Sequence, residues 1–283
     1  MDFTIVPGEE VHLPDNDVHI VNFGGKFSVN ALLLDYVPSS EVGNEDSVRT
    51  FPGAEPEPMI TIDDYFEKIR NFAATLDLPE DVDAFTYASC LWAYQMISKA
   101  GGLSIFSHPC SLYYAVFQVP LPFTRYMLEQ QPFDAFEVLG GESEFEQNGY
   151  QTILYYENLF KNNVFPVVGN SDCHCSSDPK NVNVAYSFVF AKANTIEDLV
   201  QAVKDGYSVA IDGSSGELRY VGPFRLVKYA RFLQEKFFTD HAKLCQTDSY
   251  LMKRFVDGER EMIPLLKEQK RKMEAYRKIN IAQ

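Results

Sequence analysis

Residues 101–109 read Gly-Gly-Leu-Ser-Ile-Phe-Ser-His-Pro, and this stretch indicates the fold class. The two glycines end an apolar helical pattern that begins near Tyr87, because glycine readily adopts the left-handed conformation that closes a helix. The four residues that follow predict a short buried strand, and His108 comes two residues after its end. A helix, a glycine stop and a buried strand in this order are typical of an α/β protein.

The same alternation of helices and strands continues on both sides of this stretch. Further helices are predicted at about 62–76, 151–160 and 196–203, the last between a capping Thr195 and Gly206, and further strands at 3–6, 18–23, 135–138, 165–168 and 186–190. Strands that alternate with helices usually form βαβ units, so we expect an α/β fold with a largely parallel sheet.

Two regions depart from this pattern. Residues 38–58 are polar and hold four prolines, which predicts a loop or insertion. From about Pro223 onward only helices are predicted, and residues 253–278 hold nine Lys or Arg against five Asp or Glu. We therefore expect an α/β domain over 1–221 and a helical extension over 222–283. The charged helical face is most simply solvated, and an oligomer contact or an electrostatic docking face is the alternative.

Composition excludes several classes of function. A formal net charge of -15 argues against a nucleic-acid surface and against binding to anionic membranes. The first residues lack the basic and apolar regions of a signal peptide, and no run of about 18 apolar residues is present to span a membrane. Five irregularly spaced cysteines do not indicate a disulfide framework. We expect a cytoplasmic protein.

Four short segments place metal-competent residues at or just after predicted strand ends: 7–10 (Pro-Gly-Glu-Glu), 18–24 (Val-His-Ile-Val-Asn-Phe-Gly), 107–109 (Ser-His-Pro) and 169–174 (Gly-Asn-Ser-Asp-Cys-His). Loops that leave strand ends build the active sites of α/β barrels. Carboxylates combined with imidazoles suit zinc, manganese or iron better than magnesium or calcium. The sequence therefore indicates a divalent metal site.

In their residues and in their order along the chain, these segments resemble the motifs of the PHP (polymerase and histidinol phosphatase) family of metal-dependent phosphoesterases. Its Pro-Gly-x-Glu, His-Ile-Leu-Gly-like, Ala-His-Pro-like and Ser-Asp-x-His segments are similar to residues 7–10, 19–22, 107–109 and 171–174. Residues 133–138 resemble its Asp-x-x-Glu-Val strand, and residues 195–206 resemble its late helix. The resemblance spans roughly residues 3–212 and implies a distorted (β/α)7-type PHP barrel.

The sequence also departs from the family. The family's opening Asp-x-His-x-His and its next histidine precede the Pro-Gly-x-Glu segment, but only six residues precede Pro7 here, and the chain holds no His-x-His. We therefore expect a barrel that is incomplete at its N-terminal end. An excised fragment, a start codon placed too late and a true loss of that half all remain open.

The resemblance also implies roles for individual residues. Glu10, His19 and His108 would form one complete metal position with two imidazoles and one carboxylate. Asp172 and His174 would be ligands at two other positions, whose histidine partners this sequence lacks. Glu10, Asp172 and His174 would be the catalytic groups. Glu137 would either orient a metal ligand or be a simple strand-end carboxylate.

Three further features near these segments are not expected to bind a metal ion. Glu9 should point to the opposite face of the strand from Glu10, and we expect a structural role for it. His12 falls near a turn, and we expect a surface residue. Residues 173–175 read Cys-His-Cys, but consecutive side chains rarely reach one ion, so this triplet is not expected to be a zinc site.

The expected function is hydrolysis of a small phosphorylated substrate, a phosphomonoester or a nucleotide-like phosphoester, by water that a divalent metal ion activates. Zinc, manganese or iron would serve as the cofactor. We expect this activity to be impaired, because part of the metal site is missing. Two alternatives remain open: a catalytically inactive PHP-like module for binding or assembly, and a related metal-dependent amidohydrolase.

Overall fold

The computed structural model describes residues 4–34, 36, 59–113, 116–140, 145–173, 185–213 and 217–280. The chain divides into two compact units, one spanning Thr4–Pro223 and the other comprising Met1–Phe3 and Phe224–Gln283. The predicted insertion at 38–58 lies outside the described residues.

The unit over Thr4–Pro223 is mixed α/β. Its strands are β1 (Gly8–Val11), β2 (Ile20–Phe23), β3 (Leu33–Leu34), β4 (Ile60–Thr61), β5 (Leu103–Phe106), β6 (Leu112–Tyr113), β7 (Val116–Phe117), β8 (Ala135–Leu139), β9 (Val167–Gly169), β10 (Ala185–Val189), β11 (Ser208–Asp212) and β12 (Arg219–Val221). Its helices are α1 (Ile62–Ala73), α2 (Ala84–Lys99), α3 (Leu121–Gln130), α4 (Phe145–Phe160) and α5 (Ile196–Lys204), and a 3-10 turn covers Asn30–Leu32.

The main sheet has five strands in the order β1-β2-β5-β8-β9. Strands β1 and β2 are antiparallel, as are β2 and β5, whereas β5, β8 and β9 run parallel. A second sheet, β10-β11-β12, is antiparallel throughout. The prediction of a largely parallel sheet is therefore wrong, because the main sheet contains both parallel and antiparallel pairs. Residues 12–19 are too few for the crossover that parallel neighbours need, so β1 and β2 form a hairpin.

The central strands are buried on both faces, which explains their continuous apolar sequences. Phe106 and Phe136 belong to a large core that includes residues of α1, α2, α3 and α4. Leu103 and Ile105 face the other side, in a smaller cluster with Val200 of α5. Each fully buried side chain of this size contributes about 1.5–3 kcal/mol relative to exposure.

Side-chain caps fix the starts of three helices. Thr61 accepts a hydrogen bond from the Asp64 amide at 3.1 Å, and Thr195 accepts one from the Asp198 amide at 3.2 Å. Asp83 caps α2 in the same way, at 2.7 Å from the Thr86 amide. Each cap satisfies an amide that would otherwise lack a partner in the first helical turn.

The predicted first strand is wrong. Phe3 lies outside the described residues and Thr4–Val6 adopts no strand, whereas β1 begins at Gly8. The apolar side chains of 3–6 suggested a strand, but β1 places the two carboxylates Glu9 and Glu10 on its two faces. A strand of this kind shows no alternation of apolar and polar residues. The described strands also do not close into a barrel.

The second unit is helical. Helix α6 (Phe224–Leu233) continues through a π-helical turn, Gln234–Phe238, into α7 (Thr239–Val256), which α8 (Met262–Asn280) follows. The side chain of Gln269 donates to the Leu244 carbonyl at 2.7 Å, and the Tyr276 hydroxyl donates to the Phe237 carbonyl at 2.9 Å. These contacts tie α8 to α7 and to the π-helical turn as an antiparallel hairpin.

None of the helices in the described part of the chain is both long enough and apolar enough to cross a membrane.

Candidate metal centre

Three strand ends meet at one edge of the main sheet because β2 is antiparallel to both of its neighbours. Val11 at the end of β1 pairs with Ile20 at the start of β2, and Ile20 pairs with Phe106 at the end of β5. Glu10 lies in β1, His19 precedes β2, and His108 follows β5. Side chains that are far apart in the sequence therefore converge at this edge.

The ligand atoms of these three residues are close together. His19 Nδ1 lies 2.8 Å from Glu10 Oε1 and 2.9 Å from His108 Nε2. His108 Nε2 lies 3.4 Å from Glu10 Oε1. Within the described residues, Glu10, His19 and His108 form a candidate metal-binding triad.

Electrostatic attraction holds Glu10 and His108 of the triad together. Burial raises the pKa of Glu10, but the close imidazoles of His108, His12 and His19 outweigh that effect, so the pKa lies well below its usual range. Burial lowers the pKa of His108, but the carboxylates of Glu137 and Glu10 outweigh that effect and raise it well above its usual range. A proton on His108 thus offsets the buried negative charge.

Glu137 contacts the imidazole of His108 on the side away from Glu10. Its Oε1 lies 3.3 Å from His108 Nδ1, and its Oε2 accepts a hydrogen bond from the Asn170 side chain at 2.7 Å. When Nδ1 carries the proton of a neutral imidazole, the carboxylate accepts a hydrogen bond from it, and the Nε2 lone pair is directed at Glu10 and His19.

Gly140 allows the close packing around Glu137. A methyl group at this position would lie 2.7 Å from Glu137 Oε1 and 3.6 Å from His108 Cβ. The Gly140 amide donates to the Asn148 side chain at 2.8 Å, and the Asn148 side chain donates back to the Gly140 carbonyl at 3.3 Å. These two hydrogen bonds hold Gly140 against helix α4.

The backbone at His108 is constrained. Its φ is +24°, a value that is unusual for a residue other than glycine. Two hydrogen bonds bracket it, from the Ser107 amide to the His19 carbonyl at 3.2 Å and from the Ser111 amide to the His108 carbonyl at 2.9 Å. Strained backbone of this kind concentrates at functional sites.

His12 also lies in this cluster, although we expected it at the surface. It is half-buried, its Nε2 lies 3.4 Å from Glu10 Oε2, and its ring contacts that of His19 at a centroid distance of 4.5 Å. The expectation of a surface residue is therefore wrong. Positions 10 and 12 lie on the same face of an extended chain, and that spacing could have predicted the contact.

Glu9 points to the opposite face of β1 and is held by the chain itself. It accepts hydrogen bonds from the Asn22 side chain at 2.9 Å, the Ser28 hydroxyl at 2.6 Å and the Val29 amide at 2.6 Å. Burial raises its pKa, and these hydrogen bonds only partly oppose the shift. This carboxylate organises the turn that follows β2.

The other predicted ligands are not part of the triad. Asp172 follows β9, whose carboxyl end lies at the same edge of the sheet as that of β5, and its φ is +49°. It is not among the three residues whose ligand atoms come together. His174 and Cys175 lie outside the described residues.

The triad residues fit a divalent metal ion. Glu10 Oε1 is buried and has no hydrogen-bond partner of acceptable geometry, although two imidazole nitrogens lie close to it. Ligand atoms around a tetrahedral zinc ion with bonds of about 2.0–2.1 Å lie roughly 3.3 Å apart. The separations of 2.8, 2.9 and 3.4 Å are close to that value. Two imidazoles and a carboxylate are also a usual donor set for such ions.

No family model and no curated protein matches the chain. A solved structure that it resembles is a two-domain protein from Bacteroides vulgatus ATCC 8482, which contains a predicted PHP-like metal-dependent phosphoesterase. The two chains are 14% identical, the TM-score is 0.38, and the match covers 72% of this chain. The match spans 43% of the length of that protein, less than half of it.

Proposed function

We propose that the protein binds a divalent metal ion through Glu10, His19 and His108 and hydrolyses a phosphoester of a small molecule. The observation that carries this proposal is the convergence of three ligand atoms from three different strand ends, with Glu10 Oε1 lacking a hydrogen-bond partner. We also propose that the two sheets correspond to part of a distorted PHP-type barrel.

Each residue would have a distinct task. Glu10 Oε1, His19 Nδ1 and His108 Nε2 would hold the ion, and Glu137 would keep the Nδ1 proton of His108 so that Nε2 stays available. His12 would hold Glu10 Oε2 and so aim the other oxygen at the two imidazoles. A divalent ion supplies Lewis acidity, which acidifies water and neutralises phosphate oxygens.

Asp172 and His174 belong to the proposal as further metal ligands and, with Glu10, as catalytic groups. Asp172 follows β9, whose carboxyl end lies at the same edge of the sheet as the triad, and this position supports the role. Zinc, manganese or iron is the proposed cofactor, because imidazole with carboxylate is a donor set suited to these ions.

The proposed substrate is a phosphomonoester or a nucleotide-like phosphoester rather than a nucleic acid. A net charge of -15 repels polyanions, whereas a bound cation would attract one phosphate locally. The proposed location is the cytoplasm, which the unpaired thiols of the buried Cys90 and Cys110 support.

Hydrolysis of phosphomonoester and phosphodiester chromogenic substrates tests the proposal. The purified chain is stripped with a chelator and reloaded with zinc or manganese, and the rate is compared with that of His19→Ala. A matched control is His241→Ala, a histidine on α7 in the helical unit. We expect metal-dependent hydrolysis that His19→Ala abolishes and His241→Ala retains. Hydrolysis that is independent of added metal, or equal in both variants, contradicts the proposal.

The second candidate function is a metal-binding module without hydrolytic activity. The triad supplies only three protein ligands among the described residues, and the sequence holds no His-x-His, which favours this alternative. It predicts that zinc or manganese binds and that His19→Ala abolishes binding, with no hydrolysis of any phosphoester.

A further inference from the structure

Helix α4 presents an apolar face outward. Five of its exposed side chains are apolar: Tyr150 (46% exposed), Ile153 (54%), Tyr156 (40%), Leu159 (38%) and Phe160 (89%). At about 100° per residue these positions share one side of the helix. The side of a surface helix that faces away from the core normally carries charged or polar residues, so this face is unusual.

The apolar surface extends beyond the helix. The ring of Phe117 in β7 contacts that of Tyr150 at a centroid distance of 4.9 Å, and the neighbouring Val116 is 68% exposed. Together these side chains expose on the order of 600 Å² of surface, at the upper end of the largest patches on monomeric proteins. A standard protein interface buries about 800 Å² on each partner, so this face supplies most of one.

The charges on and around this face limit which partner molecule can bind to it. The chain carries a net charge of -15, so two copies repel each other over most of their surface. On this face Glu157 is paired with Arg125, whose Nη1 lies 2.6 Å from its Oε2. Among the described residues of the helix, the other acidic side chain on this side is Glu146 in the first turn, so little unbalanced charge lies near the centre of the face. Another copy of the chain can approach here with little repulsion, whereas a strongly charged partner would find little to pair with.

We propose that the exposed face of α4 is the contact surface between two copies of this chain. A twofold axis across the helix brings the same patch of each copy together, which is the commonest arrangement in soluble homo-oligomers. Tyrosine and phenylalanine are enriched at the centres of such contacts, and Tyr150, Tyr156 and Phe160 supply them. This proposal is independent of the metal site.

Sedimentation equilibrium tests the proposal with the full chain and two charge variants, Ile153→Glu and Phe160→Glu. The matched control is Val256→Glu, on α7, because Val256 is 79% exposed. We expect the wild type to form a dimer below about 100 µM, and each α4 variant to raise the dimer Kd at least about tenfold. The control should leave the Kd unchanged, and circular dichroism should report folded protein in every case.

Two results would overturn the proposal. One is a wild type that remains monomeric at the highest concentration, as expected if this face is covered within one chain. The other is a dimer that Ile153→Glu and Phe160→Glu leave intact, which would place the contact elsewhere.

Discussion

Glu9 and Glu10 are neighbours in β1, yet the two faces of the strand give them opposite environments. Glu9 receives hydrogen bonds from a hydroxyl, a side-chain amide and backbone amides of the chain. Glu10 faces His12, His19 and His108, and its Oε1 has no hydrogen-bond partner. Burial acts on both, but the pKa of Glu9 is raised and that of Glu10 is lowered.

The contrast shows how one residue type acquires two roles. Glu9 is surrounded by fixed N–H and O–H donors, so its acceptor capacity is used within the fold. Glu10 is surrounded by imidazole nitrogen atoms that can themselves bind a metal ion, so its Oε1 is available to share a cation with them. The alternation of side chains along a strand produces this difference over a single residue.

The largest effect is expected for Glu10→Ala. Removing Oε1 leaves two imidazoles, so the affinity for zinc should fall at least about 100-fold. Calorimetric titration of the chelator-treated protein measures this. Glu9→Ala is the matched control, since it deletes the same group one residue away. Equal losses in the two variants would contradict the division of roles.

A smaller loss is expected for Glu137→Gln, which keeps the shape of the side chain but removes its charge. The Nδ1 proton of His108 would be held less firmly, and zinc affinity should fall about 10- to 100-fold. His19 does not contact Glu137, so an added His19→Ala substitution should still lower the remaining affinity. An affinity within about twofold of the wild type would mean that Glu137 does not orient His108.

Acid should weaken metal binding. The pKa of His108 is raised above its ordinary value, so in the metal-free chain this imidazole stays protonated at a pH where a free histidine is neutral. An ion must displace that proton, so affinity should rise with pH, by up to about tenfold per pH unit, until the pH reaches the raised pKa. Titrations in buffers of different ionisation enthalpy count the protons released. No release over this range contradicts the protonated state.

The smallest effect on metal affinity is expected for Glu9→Ala, within about threefold of the wild type. Its effect on stability should be larger, because the Val29 amide and the Asn22 side chain lose an acceptor in a buried position. We expect the free energy of unfolding to fall by about 1–3 kcal/mol. Urea denaturation measures it, and an unchanged midpoint would refute the structural role of Glu9.

The parts of the fold that depend on local signals could be predicted from the sequence. The strand Leu103–Phe106 was predicted with its observed bounds, because two glycines and a histidine bracket a short apolar run. The cap at Thr195 was also predicted and is confirmed. Strand β1 was not predicted, because its two carboxylates are held by tertiary contacts that no local pattern reveals. The antiparallel pairing of β2 with β5 is equally a property of the assembled sheet.

The candidate site shows the same limit. Glu10, His19 and His108 were selected by their residue types and by the resemblance of their segments, and the fold brings them together. His12 was expected at the surface because it lies near a turn, although its spacing from Glu10 along an extended chain places both side chains on one face. The metal-binding roles of Asp172 and His174 stay predictions.

Anomalous X-ray diffraction from crystals soaked with zinc tests the central claim most directly. We predict a peak at the zinc edge about 2.0–2.2 Å from Glu10 Oε1, His19 Nδ1 and His108 Nε2, with no ion beside Glu9. A zinc ion bound elsewhere in the chain, with these three atoms uncoordinated, would contradict the claim.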